Sequence, residues 1–180
     1  MSPKRLILVL LVTHAIASSA LFGQFAATGT TTLSVAVNAE AVLRVDTAMS
    51  TLSLSGDPFS DYNSSTGFTY KIRTGQSSGT GNITLQVTTD FSPTGGPSVA
   101  SSGTTGDTLK YTCSVTSPGT ACSGSQTTVW GSATPVASFS NNAKSAKNGN
   151  TGSVSWALVN DPQYSTGSYT ATVTFTVSST

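Results

Sequence analysis

A serine or cysteine nucleophile needs a base beside it, and the only histidine of the chain is His14. It lies in the opening MSPKRLILVLLVTHAIASSALFGQFA, where Lys4 and Arg5 precede an apolar run over 6–12 and small residues cluster at Ala15, Ala17, Ser18, Ser19 and Ala20. These are the basic, apolar and cleavage zones of a secretory signal peptide, assigned to 1–20 with the cut expected after Ala17 or Ala20, or near Ala26 with Gln24 against it. The apolar run is too short to span a bilayer as a permanent helix, so an uncleaved anchor is the lesser alternative. Removal of the leader removes His14, and the usual Ser-His and Cys-His pairs go with it.

The remaining candidates for chemistry are weaker. A Ser-Lys dyad wants S-x-x-K on one helical face, whereas SAKNG around Lys147 has another spacing in a stretch without helical periodicity. Seven acids, Glu40, Asp46, Asp57, Asp61, Asp90, Asp107 and Asp161, could in principle supply a glycosidase pair, but none stands in a recognisable local context. Solvated surface charge and turn roles account for them. In DYNSSTG, Asp61, Asn63 and Ser65 alternate oxygen-bearing side chains as a calcium loop does. Gly67 falls one place late, however, and no closing glutamate follows, so an Asx-type turn in a loop is expected. Asn63 and Asn82 each fit the N-x-S/T glycosylation sequon. No catalytic, cofactor or metal residues are assigned, and the chain is read as a non-enzyme.

Cys113 and Cys122, in LKYTCSVTSPGTACSG, flank the turn signal Pro118-Gly119. In an exported chain this pair reads as a disulfide, contributing about 2.5–3 kcal/mol for a loop of about ten residues. Zinc is the weaker alternative, because two thiolates without a histidine leave the site half built. Past the leader, six basic residues (Arg44, Lys71, Arg73, Lys110, Lys144, Lys147) face the seven acids, a formal charge of 6 − 7 = −1. That balance gives no footprint for nucleic acid and no polybasic handle for anionic lipid. No later run is long and apolar enough for a transmembrane helix.

The elements that would carry these residues are strands. Period-two alternation recurs along the chain, and no stretch holds the three-four spacing of a helix. In TTTLSVAVNAEAVLRVD the apolar residues Leu33, Val35, Val37, Ala39, Ala41, Leu43 and Val45 alternate with polar ones, predicting a strand with an inward face and a kink near 38–41. Phe68, Tyr70 and Ile72 form a second inward set, Ile83, Leu85 and Val87 a third, and Leu109, Tyr111, Cys113 and Val115 a fourth. Val154, Trp156 and Leu158 follow, and GSYTATVTFTVSST ends the chain with Tyr169, Ala171, Val173, Phe175 and Val177 in alternation. With STLSLSG, TTVWG and TPVASFS this makes about eight or nine strands between Gly, Ser, Asn and Pro clusters. The spacing predicts one all-β domain over 28–180, an immunoglobulin-like antiparallel β-sandwich, with a barrel or jelly roll as alternatives. The long polar loops 92–106 and 141–152 are expected to be its most mobile parts.

Trp130 and Tyr62, with Phe59, Phe91 and Tyr164, fall in predicted loops. Such rings either stack on pyranose faces or plug the ends of the sandwich, so Trp130 and Tyr62 are candidate glycan contacts.

The closing TGSYTATVTFTVSST, with Gly167 fourteenth from the end, resembles the C-terminal strand of secreted bacterial subunits related to chaperone-usher pilins and the spore coat protein U group. TTTLSVAVNAEA is similar to their N-terminal alternating segment, and LKY (109–111) and VWG (129–131) to later motifs of the spore coat U group. Ser179 stands where the pilin motif has an aromatic, and the early cysteine pairing of the spore coat group has no counterpart. The resemblance implies an immunoglobulin-like sandwich whose N-terminal segment can complete the sheet of a neighbouring subunit. Leu33, Val35, Val37, Ala39, Tyr169, Val173, Phe175 and Val177 are then the candidate strand-exchange residues. The expectation is a secreted structural subunit of a cell-surface or extracellular assembly, partnered by copies of itself or related subunits. The alternative is a monomeric carbohydrate-binding or adhesive module.

Overall fold

The structure, a computed structural model, describes residues 30–101 and 108–180; the expected signal peptide, Thr28 and Asp107 lie outside the described residues. The chain divides into two units, 1–35 and 36–180. Of the first, residues 30–35 carry no strand and are exposed.

Among its described residues the second unit has ten strands: β1 (Glu40–Val45), β2 (Ser53–Leu54), β3 (Tyr62–Arg73), β4 (Gly81–Ser92), β5 (Leu109–Val115), β6 (Thr120–Ala121), β7 (Gln126–Thr127), β8 (Thr134–Phe139), β9 (Asn150–Leu158) and β10 (Thr170–Ser179). They form two antiparallel sheets. One runs β1-β3-β9-β5-β7, with β2 also on β3, and the other β10-β4-β8-β6. The fold is thus the expected immunoglobulin-like β-sandwich, and the strands beyond the expected eight or nine are two-residue pieces.

The alternation read from the sequence sets the core. Phe68, Tyr70 and Ile72 of β3 and Val154, Trp156 and Leu158 of β9 face Ile83, Leu85 and Val87 of β4 and Val136 and Phe139 of β8, all buried. Tyr70 donates its phenol to the Thr116 carbonyl at 2.5 Å and Tyr111 to that of Pro135 at 2.8 Å, so the buried hydroxyls are satisfied. Burial raises both phenol pKa values above the ordinary tyrosine range, because a phenolate would be poorly solvated there.

Two expectations are corrected. DYNSSTG forms no turn: from Tyr62 on it is the first half of β3, pairing Tyr62 with Leu158 and Thr66 with Val154. Its small polar side chains suit a strand because Thr66, buried, accepts the Trp156 indole N–H at 2.8 Å. The long N-terminal strand is also shorter than expected. Ala41 and Leu43 keep the inward parity, but β1 begins only at Glu40, opposite Arg73. Beyond Arg73, β3 gives way to a turn in which Thr74 N–H bonds the Ala143 carbonyl at 3.1 Å, so the ladder ends there. Leu33, Val35 and Val37 are 91%, 85% and 64% exposed.

Candidate functional site

The two edge strands β1 and β10 begin their respective sheets. β10 pairs with β4 from Thr170 to Ser179, with register irregularities only near Thr170, Thr172 and Val173. Among the described residues no strand pairs with its other edge. Val173, Phe175 and Val177 point toward the core but remain only partly buried, as do Ala41 and Leu43 of β1. Phe175 reaches Phe68, with ring centroids 5.9 Å apart. The outward positions Thr170, Thr172, Thr174, Thr176 and Ser178 carry hydroxyls, and no charged residue occurs from Ser165 to the end of the chain. Natural edges are commonly guarded by lysines, prolines or bulges, and over 173–179 this edge has none of them.

The candidate strand-exchange residues therefore fall into two sets. Leu33, Val35, Val37 and Ala39 are exposed and outside any strand, whereas Val173, Phe175 and Val177 lie along one edge strand. Tyr169 precedes β10; its hydroxyl donates to the Ser165 carbonyl at 2.7 Å, and a Cβ at Gly96 would meet its ring at 2.4 Å. Tyr169 is thus held by the 95–97 and 165 loops rather than presented along the edge.

The candidate glycan contacts do not converge. Trp130, 42% exposed, bridges Val87 in the β4 sheet, while Tyr62 is a partly buried strand residue at the start of β3 in the other sheet. Phe91 likewise belongs to β4 and packs against the core, leaving Phe59, 64% exposed at φ 68°, and the half-buried Tyr164, between β9 and β10, as the loop aromatics of the set.

The disulfide Cys113–Cys122 is formed, with Cα atoms 5.5 Å apart. Cys113 belongs to β5 of one sheet and Cys122 follows β6 of the other, so the bond ties the two sheets together on the side away from β1 and β10. Among the acids, Asp90 has the most organised surroundings. Its carboxylate accepts from Ser98 Oγ at 2.6 Å and from the N–H groups of Val99, Phe91 and Ala100 at 2.7, 2.9 and 3.2 Å. Partial burial would raise its pKa, but these four donors together hold it below the ordinary carboxylate value. Three of the four donors, from Ser98, Val99 and Ala100, lie in the segment after β4 and the fourth, Phe91, lies in β4 itself, so Asp90 ties that segment to the end of the strand.

One grouping went unseen in the sequence. Lys71 and Arg73 on β3 line a groove together with Lys144 and Lys147, about seventy residues away. The bridge pairing Arg73 with Lys144 and the backbone hydrogen bonds beside it, Ser145 N–H to the Ile72 carbonyl and Thr74 N–H to that of Ala143, bring the two pairs together. The sole sequence signal was the i, i+2 spacing of Lys71 and Arg73 on an outward strand face.

No family model, curated protein or solved structure matches this chain.

Proposed function

We propose that the protein is an exported, non-enzymatic structural subunit of an extracellular or cell-surface assembly, and that it associates through β-strand pairing between copies or with related subunits. The observation that carries this reading is the coexistence of an exposed alternating apolar segment, Leu33, Val35, Val37 and Ala39, with the unguarded β10 edge. An alternating strand added to a sheet edge satisfies the edge's backbone N–H and C=O groups and covers the half-buried Val173, Phe175 and Val177. Each large side chain so covered contributes up to about 1.5–3 kcal/mol. The likeness of both chain ends to pilin and spore coat U subunits, the leader-like opening and the disulfide support the same reading. Light scattering and negative-stain microscopy of the processed protein, with and without residues 28–39, test it. Assemblies that vanish on the deletion while the sandwich stays folded are the expected result, and a monomer in both cases overturns it.

A further inference from the structure

We propose that the groove between β1, the end of β3 and the 144–147 loop binds the carboxylate groups of an acidic polysaccharide. Of the six basic residues beyond the leader, four line this groove: Lys71, Arg73, Lys144 and Lys147. Glu40 is the only acid in its wall, so the groove carries 4 − 1 = +3 while the chain past the leader carries −1. A positive focus on an otherwise slightly acidic protein is a local device, not a consequence of overall composition.

The cations are unequally committed. Arg73 bonds the Glu40 carboxylate at 3.1 Å and the Asn38 carbonyl at 2.7 Å, and is thereby fixed in place. Among the described residues, Lys71, Lys144 and Lys147 form no ion pair. The loop that presents the last two was expected to be mobile, yet its backbone is tied down. Ser145 accepts the Ile72 N–H on its hydroxyl and donates its own N–H to the Ile72 carbonyl, both at 2.9 Å. Ala146 N–H bonds Asn150 Oδ1 at 2.8 Å, and Gly149 N–H returns to the Ala146 carbonyl at 2.9 Å. Gly149 has φ 95°, and a Cβ there would stand 2.9 Å from Thr69 Cγ2, so only glycine closes this turn comfortably against β3. The ammonium groups thus project from a fixed frame, which lowers the ordering cost of binding an anion.

The shape selects among anions. The groove is open to solvent and about 400 Å³ in volume, more than a single inorganic anion fills and open along its length to a chain-like ligand. Its lining contains no aromatic ring on which a nucleic-acid base would stack. It does contain Val42, 57% exposed, an apolar surface against which the C–H face of a sugar ring rests while its carboxylate reaches the lysines. The Glu40–Arg73 pair already displays, within the same wall, the carboxylate contact a uronate would make. This site shares no residue with the aromatic candidates Trp130 and Tyr62, and it does not depend on strand pairing.

The test is binding of the processed protein to polygalacturonate at low salt, with neutral dextran, inorganic phosphate and anionic phosphatidylglycerol vesicles as parallel probes. Binding to polygalacturonate alone is expected, weakening as salt is raised because the contacts are solvent-exposed charges. Lys144→Glu with Lys147→Glu should weaken it at least about tenfold, and Lys110→Glu, a cation outside the groove, should change it less than about twofold. If the double reversal disturbs the circular dichroism, Lys144→Gln with Lys147→Gln serves instead, with a smaller loss in the same direction. Absence of polygalacturonate binding, equal loss in the Lys110→Glu protein, or comparable binding of dextran, phosphate or vesicles would each overturn the proposal.

Discussion

The indole N–H of Trp156 in β9 donates to the hydroxyl of Thr66 in β3 at 2.8 Å, inside the sandwich. Thr66 also shares a 2.6 Å hydrogen bond with Ser50, so one buried hydroxyl joins β9, β3 and the segment before β2. Thr66→Val keeps the shape but leaves the indole donor without its partner, and should cost about 1–3 kcal/mol in urea unfolding. Trp156→Phe in the Thr66→Val background should then cost less than in the wild type, because the orphaned donor is gone. Equal costs in the two backgrounds would show that the bond contributes nothing.

The parity of each long strand was legible in the sequence because a sandwich buries one face of every strand. Phe68, Tyr70 and Ile72, and likewise Val154, Trp156 and Leu158, lie inward as their alternation predicts. The first half of β3 was not legible. Asn63, Ser64 and Ser65 have low strand preference, and they are held extended by pairing to β9, a tertiary effect that local composition does not carry. The end of the N-terminal strand was hidden for the same reason: alternation continues through Leu33, but a ladder needs a partner, and β3 turns away after Arg73. The free β10 edge was foreshadowed by its regular spacing. The basic groove was not, since its two halves are about seventy residues apart in sequence and meet only through tertiary pairing, the Arg73–Lys144 bridge and the Ile72–Ser145 hydrogen bonds.

The Cys113–Cys122 bond should stabilise by restricting the unfolded chain. For residues separated by 9 in sequence, Cys113→Ser with Cys122→Ser is expected to lower unfolding free energy by about 2.5–3 kcal/mol. Because the bond lies at the β5 and β6 side, the β10 edge should be unaffected in the folded protein. Denaturant melts of the oxidised, reduced and double-serine proteins check this; identical midpoints would contradict it.

Asp90 predicts a pH dependence. Its folded pKa is lowered, so the stability it contributes is complete above the unfolded carboxylate value of about 3.9 and is lost as pH falls through the lower folded value. Asp90→Asn should therefore be destabilised at neutral pH relative to wild type, and the gap should narrow below about pH 4. Urea unfolding of both proteins across the acid range measures the gap, and a gap independent of pH would exclude the carboxylate as its source.

Gly152, opposite Phe68, lies beneath the aromatic ring: a Cβ there would meet Phe68 Cζ at 2.4 Å. Gly152→Ala should displace Phe68, which is in ring contact with Phe175 of β10, and cost about 1–3 kcal/mol by overpacking. Phe68→Leu in the same chain should recover part of the loss, as read from thermal unfolding. No recovery would mean that the strain is in the backbone and not against the ring.

Strand pairing is tested most directly by amide hydrogen exchange of the processed protein over a concentration series. In dilute solution the amides of residues 33–39, which belong to no strand, should exchange rapidly. As assemblies form, both these amides and the outward-facing amides of β10 should become protected together, and Val35→Pro, which removes one backbone donor, should abolish both changes without altering exchange in the core strands. Residues 33–39 exchanging rapidly at every concentration, or becoming protected equally in the proline variant, would contradict assembly through this segment.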